Sequence, residues 1–286
     1  MIYAIENEFL RVVAETRGAE LCSIYDQRSG RENLWQGDPA VWNGRSPLLF
    51  PIVGRLKEDA YTYAGRRWPM EQHGFARKME FALGYWEKRQ MSYVLQDSEE
   101  THACYPFAFR LTVGYQLSDN VLAVRYTVEN PGKDAMYYAI GAHPGFNCTP
   151  GDIIEFSEAE TLQSLRLNAE THLVMPERLP VLNNERRIAL DAQTFDHDAL
   201  IFPGFRSKSV ALVRRDGSRV TVSLGGATCL GFWSMSGKGL PYVCIEPWWG
   251  LDDPWNASGK IEEKPLIETL ASGGRRVFEI KIVIEG

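Results

Sequence analysis

Several features that would announce a chemistry are scarce or missing. The five cysteines, Cys22, Cys104, Cys148, Cys229 and Cys244, are odd in number and show no C-x-x-C spacing. That argues against a disulfide framework or a local zinc knuckle, and buried free thiols are expected. There is no H-E-x-x-H, no G-x-S-x-G, no Walker pattern and no dinucleotide-type glycine pattern, which removes the usual signatures of zinc peptidases, α/β-hydrolases, NTPases and Rossmann enzymes. GFWSMSGKG at residues 231–239 imitates a glycine-rich loop but lacks a strand-to-helix context. Excess positive charge is also missing: 31 Lys and Arg stand against 37 Asp and Glu, a net charge of −6 with no block of one sign. Neither a nucleic-acid backbone nor an anionic membrane is an expected partner. No apolar run reaches membrane-spanning length, and Glu6, Glu8 and Arg11 interrupt the N-terminal segment where a secretory signal needs an apolar core, so a cytoplasmic location is expected.

What is present is strand after strand. FLRVVAE, MSYVLQD, FRLTVGYQL, LAVRYTVEN, SVALVRR, RVTVSL and VFEIKIVIEG alternate apolar and polar residues over five to eight positions, the period of a half-buried strand. Turn residues separate them, at 26–30, 117–120, 130–133 and most clearly at Asp216 and Gly217, where an Asp-Gly pair signals a hairpin. Helical periodicity is not sustained anywhere; the polar stretches near 97–101 and 252–264 have room for short turns only. The expected class is all-β. With 44% hydrophobic and 24% charged residues, and no repeat or linker-like tract to divide it, the chain is expected to form one β-sandwich domain over residues 1–286.

Polar groups set among apolar residues mark the candidate site. Residues 46–81 hold Arg55, His73 and Arg77 between aliphatic and aromatic neighbours, and Gly74 permits close backbone approach beside His73. His143 follows the strand-like run MYYAIGA and precedes Pro144 and Gly145, which places an imidazole of near-neutral intrinsic pKa at a strand end. Glu246 sits after Val243 and Ile245 in VCIEPWWG; a carboxylate there is costly to bury, and a raised pKa suits a general base. Trp248 and Trp249 offer faces on which sugar rings stack. Trp35, Trp42 and Trp233 receive no role, and His102, His172 and His197, among polar or turn residues, read as surface or structural. No local spacing of ligands indicates a metal.

Together SPLLFPIVGRLK, QHGFAR, GAHPGF, FDHDALIF and CIEPWWG resemble, in order and over nearly the whole chain, the aldose 1-epimerase (mutarotase) family, particularly its LacX-like branch. The resemblance implies a galactose-mutarotase-like β-supersandwich with a sugar groove across one sheet. It implies that Glu246 takes the proton of the anomeric hydroxyl while His143 protonates the ring oxygen. His73 would then polarise the same region, with no cofactor or metal. By the same resemblance Arg55 and Asp198 contact sugar hydroxyls; FDHDALIF offers both Asp196 and Asp198, of which Asp198, before the apolar run, is preferred. HGFAR is closer to the hexose-6-phosphate epimerase branch, so Arg77, with Arg45, is a candidate phosphate clamp. The expected partner is a small sugar or sugar phosphate, and the chain is expected to be a monomer or homodimer. A non-catalytic carbohydrate-binding protein on the same fold, stacking sugar on Trp248 and Trp249 and orienting it with the arginines, is the alternative.

Overall fold

Alternation along each strand decides which face meets the core. In the strand Arg110–Ser118, Leu111, Val113, Tyr115 and Leu117 are buried while the residues between them are more exposed; its neighbour Val121–Glu129 pairs with it antiparallel over nine residues. In the computed structural model, which describes residues 1–286, every segment read as a strand from its alternation lies in one. The polar stretches near 97–101 and 252–264 hold only a four-residue helix, Glu99–His102, and a single 3-10 turn, Ile261–Glu263. The Asp216–Gly217 turn joins the paired strands Ser209–Val213 and Arg219–Ser223, with Gly217 at φ +89°. No helix is long and apolar enough to cross a membrane.

Fifteen strands form one large sheet. Its order runs from the edge Leu48–Leu49 through Ile140–Ala142, Tyr242–Trp249, Cys229–Trp233 and Leu200–Pro203, then across the long strand Ile153–Leu167, and ends at Ala82–Glu87. A four-stranded sheet built from residues 2–32 packs on it: Tyr93 and Tyr115 of the large sheet donate their hydroxyls to the carbonyls of Ala14 and Ala19 at 3.0 and 2.7 Å. A hydrophobic cluster of 65 buried residues reaches from Ile5 to Ile284. All five cysteines are free, three of them buried.

One strand departs from alternation. All eight residues of Tyr242–Trp249 are buried, because the sheet is covered on both faces there. A charged residue in that strand is shielded from bulk water and needs partners inside the protein or in a pocket.

Candidate active site

Glu246 and Trp248 are two residues apart on that strand and therefore share a face. Opposite Glu246 on one neighbouring strand lies Gly231, and opposite Trp248 on the other lies Gly141. These two glycines leave the space the indole fills: a Cβ on Gly141 would sit 2.7 Å from Trp248 Cδ1, and one on Gly231 3.0 Å from Cζ2. His143 stands between Ile140–Ala142 and Gly145–Asn147, two short strands that both pair with Tyr242–Trp249. That connection carries its Nε2 to 3.1 Å from Glu246 Oε2. His73 comes from a turn in which His73 and Gly74 both have positive φ, +64° and +71°; a Cβ on Gly74 would lie 2.3 Å from the Phe50 carbonyl oxygen, so only glycine brings the turn this close. Gly54 clamps the histidine from the other side, its N–H donating to His73 Nδ1 at 3.1 Å while its carbonyl accepts from the His73 N–H at 2.8 Å.

These groups line a pocket of about 270 Å³. Trp42 stacks at 33° on the His143 ring with centroids 5.3 Å apart, Trp233 meets the same ring edge-on at 5.8 Å, and the His73 ring lies perpendicular to it at 5.9 Å. Aromatic walls beside a few convergent polar groups suit a small amphipathic ring.

Enclosure sets the protonation states. Burial pushes the Glu246 carboxyl well above the ordinary carboxylate range; the Trp248 indole opposes this, and Asp252 and Asp198 add to it. Burial pushes His143 down to about 3, with Arg77 also disfavouring its charge. His73 is held well below the ordinary imidazole value by burial first, then by His143, Arg77 and Lys264. Since Nδ1 of neutral His73 accepts from Gly54, its proton is on Nε2, a fixed neutral donor. His143 Nδ1 and Trp248 Nε1 are buried without a hydrogen-bond partner, and Glu246 Oε2 has none besides the facing His143 Nε2. His143, Cys244 and Glu246 each place one possible metal-ligand atom within 4.8 Å of the others. Cys244 is fully buried, however, and its thiol is pushed well above the ordinary range, which disfavours the thiolate a metal requires.

A sequence model of the family described as aldose 1-epimerase matches residues 1–273. The chain belongs to the aldose 1-epimerase family. It is 35% identical over 282 residues to the chromosomal protein LacX of Lactococcus lactis subsp. lactis, covering 93% of this chain and 94% of that protein. Its structure matches a galactose mutarotase related enzyme from Lactobacillus acidophilus with a TM-score of 0.94 at 33% identity, covering 100% of this chain and 98% of the other. A galactose mutarotase-like protein from Lactobacillus casei matches with the same TM-score at 25% identity, each chain covered in full. The fold is thus that of the galactose mutarotase-like proteins, as the motifs imply.

Of the residues singled out from sequence in this epimerase-family chain, Glu246, His143, His73, Arg77, Asp198 and Trp248 all line the pocket. Asp196 does not; it accepts a hydrogen bond from Ser236 at 2.8 Å on an exposed surface. Arg55 lies outside the lining. Asp59, four residues on, holds its guanidinium through two hydrogen bonds of 2.8 and 2.9 Å beside a neighbouring groove. Arg45 is also outside: its backbone N–H donates to Glu20 and its side chain runs past Gly37. Trp249 packs into the core, donating to the Gly226 carbonyl at 3.0 Å. His172, which reads from the sequence as surface or structural, instead lines the pocket, as do Trp42 and Trp233, which received no role, and Gln72 and Asp252, which were not singled out. Gly54, at φ +71°, would place a Cβ 2.2 Å from the Asp252 carboxylate, a close approach that only the fold creates. His172 had no local signal, since its loop is polar.

Proposed function

We propose that the protein is a cytoplasmic isomerase that interconverts the α and β anomers of a hexose or hexose 6-phosphate. The observation that carries this reading is the buried Glu246 carboxyl facing His143 Nε2 at 3.1 Å across the floor of a sugar-sized pocket. Ring opening of a hemiacetal needs one proton removed from the anomeric hydroxyl and one delivered to the ring oxygen as the C1–O5 bond breaks. Burial opposes a lone charge on either Glu246 or His143, so the resting pair keeps a single proton, on the carboxyl. Passing that proton to His143 leaves the net charge of the pair unchanged. In this form Glu246 takes the O1 proton, His143 protonates O5, and the open aldehyde rotates about C1–C2. Reversal of the two transfers closes the ring on the other face. His73 Nε2–H supplies a neutral hydrogen bond to the developing charge, and Asp198 accepts from a hydroxyl on the far side of the ring. Replacing Glu246 by Gln tests the reading: the rate of α/β exchange is expected to fall about 10³-fold with the fold intact, and full retained activity overturns it.

Arg77 supports a phosphorylated substrate. Its Nη2 donates to the Gln72 carbonyl at 2.8 Å, its buried Nε has no partner, and the acidic group that acts on it, Glu71, is itself paired with Lys78. A cation only partly compensated at a pocket wall favours an anionic group on the ligand.

A further inference from the structure

The loop 168–173, between the long strands Ile153–Leu167 and Val174–Ala189, is built around Asn168. Asn168 Oδ1 accepts from the N–H groups of Glu170 and Thr171 at 3.0 and 2.9 Å, and its carbonyl accepts from the His172 N–H at 2.8 Å. His172 emerges at φ +53°, and Asp198, which it meets, is at φ +74°. Two non-glycine residues in the left-handed region, each lining the same pocket, represent backbone strain concentrated at one wall. Together they form a dyad, His172 Nδ1 lying 3.2 Å from Asp198 Oδ2, while Asp198 Oδ1 accepts the Ala199 N–H at 2.7 Å. A carboxylate can only accept, so His172 Nδ1 carries a proton toward Asp198 and the second ring nitrogen, Nε2, is the one turned to the pocket for a ligand hydroxyl. Nε2 makes no hydrogen bond within the protein, and the side chain is 37% exposed.

We propose that His172 is a substrate-positioning residue, which orients Asp198 through Nδ1–H and presents Nε2 to a second hydroxyl, so that the two side chains read a pair of adjacent hydroxyls on the pyranose. This deepens the anomer-exchange reading and rests on it. Asp198 directly precedes the strand Leu200–Pro203, which Cys229–Trp233 separates from the Glu246 strand, a spacing of two strands, about 10 Å, so the dyad grips the ring at a distance from C1. His172 therefore acts on affinity and on the choice of sugar, and its removal is expected to fall on KM far more than on kcat.

The test compares His172→Ala and His172→Asn with the unaltered protein, on the preferred hexose and its 2-, 3- and 4-deoxy analogues. Anomer exchange gives kcat and KM, and quenching of the tryptophans that line the pocket gives affinity directly. His172→Ala is expected to raise KM and the dissociation constant about tenfold, with kcat within about twofold. His172→Asn, whose amide N–H replaces Nδ1–H, is expected to recover part of that loss. One deoxy analogue should bind about tenfold worse to the unaltered protein yet no worse than the parent sugar to His172→Ala. Unchanged affinity in both variants, or equal penalties for every analogue in every protein, overturns the proposal. Sugar binding without anomer exchange would overturn the catalytic reading, and the affinity series would then decide the role of His172 alone.

Discussion

Two buried acid–base pairs in this protein have nearly the same separation and opposite surroundings. Lys264 Nζ meets Asp253 Oδ1 at 2.9 Å, and the other carboxylate oxygen accepts the Lys57 N–H at 3.1 Å. Lys264 and Asp253 are 5% and 3% exposed, and both carboxylate oxygens are satisfied. His143 and Glu246 meet at 3.1 Å, also buried, but His143 Nδ1 has no hydrogen-bond partner and Glu246 Oε2 has none besides the facing His143 Nε2. The first arrangement joins two segments that are distant in the chain. The second leaves buried polar atoms unsatisfied beside an open pocket, a cost that a purely structural pair has no reason to carry. Satisfaction, rather than burial or distance, separates the structural pair from the catalytic candidate.

Breaking each pair should therefore give opposite outcomes. Glu246→Gln is expected to lose about 10³-fold in anomer exchange and nothing in stability. The folded-state pKa of Glu246 lies above its unfolded value, so its favourable contribution is complete at low pH and is lost as pH rises through the folded value. Gln stays neutral, and the variant should melt at or above the wild-type temperature at pH 8; a clear drop contradicts the contrast. Lys264→Ala should behave in reverse, costing about 3–5 kcal/mol by leaving Asp253 buried and unpaired. Urea unfolding measures that loss, while exchange per folded molecule should stay within about threefold. Arg77→Ala should weaken a hexose 6-phosphate about tenfold more than the free hexose, read from KM; equal losses remove the phosphate contact. The smallest expected effect is on pH dependence. Because His143 is pushed down to about 3 and Glu246 upward, the pair keeps its single proton through the mildly acidic range, and kcat should change less than about twofold between pH 5 and 7. An inflection near the ordinary histidine value, about 6.5, would contradict it.

The sequence made visible those parts in which a local pattern and the tertiary environment agree. Strands such as Arg110–Ser118 have one buried face, so their alternation survives in the chain. Ile153–Leu167 and Val174–Ala189 do not read as strands, because register shifts interrupt their pairing and most residues of the second are exposed. Glu246, His143 and His73 stood out because each is a polar group among apolar neighbours. The same signal marked Arg55, which lies outside the pocket lining with its charge met locally by Asp59. Trp42, Trp233 and His172 reach the pocket from segments separated along the chain, and only folding brings those segments together. Asp198 could be preferred over Asp196 from its position before an apolar run, and the pocket wall is where it lies.

The most direct test of the central claim is NMR exchange spectroscopy of the anomeric protons, with the protein added to equilibrated glucose, galactose and their 6-phosphates in turn. Accelerated α/β exchange with at least one of them, abolished in Glu246→Gln, is the expected result. Perturbed sugar signals with exchange no faster than in buffer would contradict it and favour a carbohydrate-binding protein on the same fold.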